Sequence, residues 1–169
     1  GILLEECRNN TVSGCVVQGN GNEGLLLENC SYNLLENNEI SKNRYGCKLV
    51  SSQDNRIVEN AFLENRNDAI NLQDSHANLI EGNSATGSDG ALTIDSSRDN
   101  IVRENDFIGN DKGIYLTYLG TSSESSSKKG KSVVISYNSI PSSETVSTNN
   151  SIYLNYLVNE KNARADSLN

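Results

Sequence analysis

The stretch "SRDNIVREND", Ser97 to Asp106, has a near-copy in "SQDNRIVENA", Ser52 to Ala61. Written in lines that begin at Gly1, Gly24, Gly46, Ala69, Ala91 and Gly113, the chain repeats at intervals of 23, 22, 23, 22 and 22 residues. A constant period of this size marks a solenoid. Asparagine fills the tenth position as Asn10, Asn33, Asn55, Asn78 and Asn100, and after Cys15 it fills the fifteenth as Asn38, Asn60, Asn83 and Asn105. The twentieth holds Asn20, Asn43, Asn65, Ser88 and Asn110, and the seventh holds the small residues Cys7, Cys30, Ser52, Ser75 and Ser97. Apolar residues occupy positions two, four, twelve and seventeen and alternate over short stretches, which is strand periodicity. Short strands on three sides, separated by Asn, Asp and Gly turns, describe an all-β parallel β-helix of six to seven coils. Stacked coils place like residues one inter-strand spacing apart, so the asparagines are expected to form ladders and to tolerate left-handed backbone at the corners.

Composition supports repetition over a conventional globule. In 169 residues there are no Met or Trp, one Pro and only 5% aromatics, with 35% hydrophobic residues overall. Such a chain offsets its ordering entropy by burial between neighbouring repeats. The net charge of −8 argues against a nucleic-acid partner, which needs a basic stripe. No apolar run is long enough for a membrane-spanning helix, and no signal peptide opens the chain.

The repeat is expected to form one domain over residues 1–169, regular over 1–118. The segment "LGTSSESSSKKGKS", Leu119 to Ser132, reads as an insertion, and 133–169 as irregular last coils with a polar tail. "VVISYNSI" is expected to restore the motif with Ile135 at position twelve and Asn138 at fifteen. "STNNSIYLNYL" repeats it with Asn150, Ile152 and Asn155. Because Gly1 begins directly on a repeat, further coils upstream in a longer exported protein, or self-association through the solenoid ends, are expected.

The pattern in "AINLQDSHANLIEGNS" and "ALTIDSSRDNIVRENDF" resembles the NosD-like right-handed β-helix repeats, which belong to a wider group of carbohydrate-binding proteins and sugar hydrolases. The resemblance covers Gly1 to Asn110 and weakens towards Leu157. It implies a right-handed coil and an extracytoplasmic setting: secreted, periplasmic or cell-surface. It leaves activity open, because one fold hosts many functions.

With positions two and four inward, positions three and five face out. From the third coil this face carries Lys48, Asn71, Gln73, Thr93, Asp95, Tyr115 and Thr117, a polar row suited to hydroxyl-rich sugars; any solvent-facing strand is also polar. A hydrolase needs two converging carboxyl groups. Asp95 has Asp74 and Asp68 as candidate neighbours, but Asp74 is at position six and Asp68 precedes its strand. The paired-aspartate, Gly-His-Gly and Arg-x-Lys signatures of polygalacturonase-like enzymes are missing, so a non-catalytic reading is favoured over a hydrolase or lyase. No cofactor or metal is expected: His76 stands alone, and the four cysteines, Cys7, Cys15, Cys30 and Cys47, lack C-x-x-C spacing. Cys7 and Cys30 stack within disulfide range, with free thiols the commoner outcome. Asn9, Asn29 and Asn149 begin N-glycosylation acceptor patterns. Three readings of function remain: a polysaccharide- or cell-surface-glycan-binding module, a cell-surface scaffold, and an element of a surface layer that stacks end to end.

Overall fold

The structure, a computed structural model, describes residues 1–117, 133–135, 149–153 and 155–158. The first coil contains β1 (Ile2–Glu5), β2 (Thr11–Ser13) and β3 (Val16–Gln18). The second has β4 (Glu23–Glu28), β5 (Leu34–Glu36) and β6 (Glu39–Ser41), and the third β7 (Tyr45–Val50), β8 (Arg56–Val58) and β9 (Ala61–Leu63). The fourth has β10 (Asp68–Gln73), β11 (Leu79–Glu81) and β12 (Ser84–Thr86), and the fifth β13 (Gly90–Asp95), β14 (Ile101–Arg103) and β15 (Asp106–Ile108). Further strands are β16 (Lys112–Thr117), β17 (Val133–Ile135), β18 (Ser151–Tyr153) and β19 (Tyr156–Val158).

Neighbouring strands among the described residues are parallel, and the first strands of successive coils form one sheet, the second strands another and the third strands a third. The register is that of the repeat: Leu25 sits opposite Ile2, Ile57 opposite Leu35, and Phe62 opposite Ile40. Leu25, Leu49, Ile70, Leu92, Ile57, Ile80, Phe62 and Phe107 are fully buried. From position two onward residues of the first-sheet strands alternate in and out, so one axial core is filled by stacks of like side chains. Position one stays small because it lies over the core. A Cβ on Gly46 would come within 2.6 Å of the Phe62 ring and 2.4 Å of the Ala69 carbonyl.

The ladders at positions ten and fifteen run unbroken from coil to coil, while the one at position twenty is interrupted between Asn65 and Ser88. Asn60 Oδ1 accepts the backbone N–H of Asn38 at 3.0 Å and its side-chain amide at 2.9 Å. Asn60 Nδ2 donates to Leu35 O, to Val58 O and to Asn83 Oδ1. The seventh column uses hydroxyls and a thiol in the same way: Cys7 N–H donates to Cys30 Sγ, Cys30 N–H to Ser52 Oγ, and Ser52 N–H to Ser75 Oγ.

Left-handed backbone does not fall on the ladder asparagines, as the sequence reading expected. It falls one residue earlier, at positions six, nine, fourteen and nineteen. In the third coil these are Ser51, Asp54, Glu59 and Glu64, with φ of 48°, 54°, 54° and 52°. The physical reason is directional: a left-handed step bends the chain and turns the next side chain inward, where it meets its copy in the adjacent coil. A non-glycine residue there costs about 1 kcal/mol, and the ladder bonds offset it.

The C-terminal coil differs from the expected arrangement. Ile135 does not occupy position twelve: β17 pairs with β16 in the first sheet, with Ile135 opposite Leu116. Position twelve belongs to Ile152, opposite Val102, while Asn150 and Asn155 continue the ladders of Asn100 and Asn105. The step from Asn100 to Asn150 is 50 residues, against 22 from Asn78 to Asn100. The sixth coil is therefore assembled from β16, β18 and β19, with the excursion between its first and second strands. Residues 119–132, Asn138 and the polar tail lie outside the described residues.

Candidate functional site

The first sheet carries the widest strands, six residues in β4, β7, β10, β13 and β16 against three in the other two sheets of the same coils. Its outer face is built from two columns. Lys48, Asn71, Thr93 and Tyr115 stand in register in one, and Val50, Gln73, Asp95 and Thr117 in the other. Adjacent rungs are about 4.8 Å apart and the two columns about 7 Å apart. The side chains predicted as a binding row do share one face, and Lys48, Asn71, Gln73, Thr93, Asp95 and Tyr115 are each half-buried. The Thr117 side chain lies outside the described residues.

Asp68, expected to precede its strand, instead opens β10 on this face. Its Oδ2 accepts the Asn71 amide at 2.7 Å. Gly90, its partner in the next coil, has no side chain, and a Cβ there would lie 2.3 Å from Asp68 Oδ1. The carboxyl thus rests over a glycine. Burial pushes its proton affinity above the ordinary carboxylate range, while hydrogen bonds from Asn71 and Thr93 and the charge of Lys112 oppose the shift. Lys112 Nζ pairs with Asp89 Oδ2 at 2.9 Å.

Asp95 is also raised, first by burial and then by the charge of Asp74, with the Ser96 hydroxyl at 3.2 Å opposing. Asp74 is exposed at a left-handed corner, with φ of 48°. Asp68 and Asp95 lie at opposite ends of the strand register, Asp68 opposite Gly90 and Gln73 opposite Asp95. Five residues of strand separate them by roughly 16 Å. Carboxyl groups that flank one glycosidic bond stand about 5–9.5 Å apart. This pair does not converge.

The face also holds residues that the two-column reading missed. Tyr45 begins β7, and its ring lies under two cations: Lys48 Nζ is 5.3 Å and Arg44 Cζ 5.6 Å from the ring centroid. Arg66 stacks one coil above Arg44, with Arg66 N–H donating to Asn43 O and Asn67 N–H to Arg44 O. The signal was present in the sequence as a basic or polar residue at position twenty-one, hidden because that position lies in a corner.

The other candidates separate cleanly. The ladder asparagines Asn33, Asn38, Asn55, Asn60, Asn78, Asn83, Asn100 and Asn105 are buried and bonded coil to coil, whereas Asn10 is exposed. Asn9, Asn29 and Asn149 are exposed corner residues with φ of 58°, 53° and 54°. All four cysteines are free thiols. Burial pushes the Cys47 thiol up to about 12, which leaves it inert in the core. His76 accepts the Arg98 N–H at Nδ1, and burial followed by the Arg98 charge holds it below its ordinary value. Among the described residues no group of three or more His, Cys, Asp or Glu side chains could hold a metal ion. Among them, no helix is long and apolar enough to cross a membrane.

No curated protein matches the sequence. Among solved structures, trypsin-treated QnrB1, a plasmid-mediated fluoroquinolone resistance protein, is similar at 12% identity over 66% of this chain and 68% of that one. Its TM-score of 0.19 is too low to carry an argument. The family model described as the right-handed beta helix region matches residues 1–163, which agrees with the three parallel sheets and their register. The chain belongs to the right-handed β-helix family.

Proposed function

We propose that this chain is a non-catalytic, extracytoplasmic β-helix module that binds carbohydrate along the outer face of its first sheet. The observation that carries the reading is the pair of in-register columns on that face. Amides at Asn71 and Gln73, a hydroxyl at Thr93, a carboxyl at Asp95 and the ring of Tyr115 repeat at inter-strand spacing on a rigid support. Such a row offers hydrogen-bond donors and acceptors to the hydroxyls of an extended glycan, with an aromatic platform at one end. The roughly 16 Å between Asp68 and Asp95 supports binding without cleavage.

One incubation with a panel of neutral and acidic polysaccharides tests this, scored for retention and for new reducing ends. Retention without cleavage, reduced severalfold by Tyr115→Ala, is expected. New reducing ends would overturn the non-catalytic reading and direct attention to Asp95 and Asp74. Neither retention nor cleavage would overturn glycan binding and leave a cell-surface scaffold as the better account.

A further inference from the structure

The cations on the first sheet are not distributed as a solvated surface would have them. The chain carries a net charge of −8, yet Arg44 and Lys48 both stand over the Tyr45 ring, and Arg66 follows Arg44 one coil further along. None of the three makes an ion pair among the described residues, as is also true of Arg8, Lys42 and Arg56, whereas Arg98, Arg103 and Lys112 each do; what sets Arg44 and Lys48 apart is the ring they share. Arg44 and Arg66 are exposed and Lys48 is half-buried. The acids nearest in register are Glu23, beside Tyr45 in the coil below, Asp68, which opens the strand above and is bonded to Asn71, and Asp89, which follows Arg66 in its column and pairs with Lys112.

The Tyr45 ring explains why the two nearer cations stay together. Like charges repel, but a ring quadrupole attracts a cation over its face by about 0.5–1 kcal/mol at an exposed site. With Arg44 and Lys48 both within 6 Å of its centroid, Tyr45 holds two positive groups on the sheet face without neutralising either. An unneutralised pair, joined by a third cation one rung away, is a seat for an anion. A planar carboxylate fits it, because a guanidinium donates in a fork that matches carboxylate geometry and an ammonium adds a point charge. Lys48 begins the column that continues through Asn71 and Thr93 to Tyr115.

We propose that the Arg44, Tyr45, Lys48 and Arg66 cluster is the anion subsite of the sheet face, and that the glycan bound there bears carboxylate groups. This rests on the glycan-binding reading and narrows it from carbohydrate in general to an acidic polymer. Tyr45 is a positioning residue; Arg44, Lys48 and Arg66 make the contact.

The test compares retention on carboxymethyl cellulose and on hydroxyethyl cellulose, which share a backbone and differ in charge. The acidic polymer is expected to bind at least about tenfold more tightly, with the advantage falling as salt approaches about 1 M, where the screening length shrinks to about 3 Å. The double variant Arg44→Gln/Lys48→Gln should lose at least tenfold on the acidic polymer, a markedly larger loss than on the neutral one. Tyr45→Leu, which alters no charge, should lose severalfold on the acidic polymer, and Tyr45→Phe should keep it. A control pair on another corner, Arg8→Gln/Arg98→Gln, should leave retention unchanged. Equal retention on both polymers overturns the anion subsite and leaves glycan binding standing. Loss with the control pair as large as with the site pair overturns it too, since net charge alone would then account for binding. Retention on neither polymer overturns both readings.

Discussion

Replacing Asn60 by alanine tests whether the ladders, more than the apolar stacks, hold successive coils in register. Asn60 is 2% exposed and makes five side-chain hydrogen bonds. Without them the Asn38 backbone N–H loses its acceptor, the Asn38 amide loses one of its two, and Leu35 O and Val58 O each lose a donor. Asn83 Oδ1 keeps a partner, the backbone N–H of residue 60 at 2.9 Å. A buried donor left unsatisfied costs about 1–3 kcal/mol and each further lost bond about 1 kcal/mol, so Asn60→Ala should destabilise by about 3–5 kcal/mol. That is a large share of the roughly 5–15 kcal/mol typical of a folded domain. Asn10→Ala removes bonds to Arg8 O and Asn33 Oδ1, but Asn10 is exposed and water replaces them, so less than about 1 kcal/mol is expected. Urea titration followed by far-ultraviolet circular dichroism reads both. Asn60→Asp sharpens the test: a carboxylate accepts from Asn38 as before but cannot donate to three acceptors, so it should cost more than alanine at neutral pH. The folded state raises the proton affinity of that buried carboxyl, so its deficit should shrink as pH falls. Equal losses at positions 60 and 10, or a loss below about 1 kcal/mol at 60, would refute the ladder argument.

Three further substitutions probe other features of the coil. Tyr32 is a bulky residue in the left-handed region, with φ of 58°, and is 60% exposed, so Tyr32→Asn should raise stability by about 0.5–1 kcal/mol; an unchanged or lower thermal midpoint would count against the strain. Asp68 holds its proton more tightly when folded, so its favourable contribution is complete below the unfolded carboxylate range and lost as pH rises through the folded value. Asp68→Asn should therefore stabilise the protein at neutral pH, and the gain should vanish below about pH 4; a gain independent of pH would refute the assignment. Ser88 Oγ is buried without a hydrogen-bond partner among the described residues, at a position that asparagine fills in other coils, so Ser88→Ala should be neutral or gain up to about 1 kcal/mol by urea titration, and a loss beyond that would show an unrecognised role for the hydroxyl.

The architecture was legible because every coil imposes the same demands. A side chain at position ten, fifteen or twenty must donate and accept along the axis while buried, and among neutral side chains the asparagine amide does both within a short reach. That is why Asn33, Asn55 and Asn78 identify the corners before any coordinates do. The left-handed residues were not legible as a class. Glu59, Lys42, Ser51 and Tyr32 share a backbone conformation that the next residue requires, and their own side chains carry no mark of it. The sixth coil was misread for a related reason. "VVISYN" satisfies the apolar-and-asparagine pattern as well as "NSIYLN" does, and a local pattern cannot state which rung it joins. The ladder decides it. Asn150 and Asn155 accept from Asn100 and Asn105 at both backbone and side chain, two columns at once. β17 instead takes a place in the first sheet beyond β16.

The candidate site was harder to read, because the same alternation that exposes positions three and five exposes them in every coil, whether or not they bind anything. What distinguishes the cluster at coils two to four is departure from the repeat. Tyr45 stands where the aligned residues of the neighbouring coils are Glu23 and Asp68, and Arg44 and Arg66 stand where the next two coils have Asp89 and Asp111. Asp89 supplies the partner of Lys112 at the start of the sixth coil, whereas Arg44 and Lys48 at the third make no ion pair among the described residues. An acidic chain that held its surface charges only for solubility would have no reason to separate them in this way. If the proposed anion subsite holds, the reversal of sign along one sheet face gives a bound polymer a direction, with its charged groups towards coil three and its hydroxyls towards Thr93 and Asp95. Reversing the two ends, by Arg44→Asp with Asp89→Arg, should therefore abolish acidic-polymer retention even though the net charge of the chain is unchanged. Retention that survived the exchange would show that the total charge, and not its order along the sheet, governs binding.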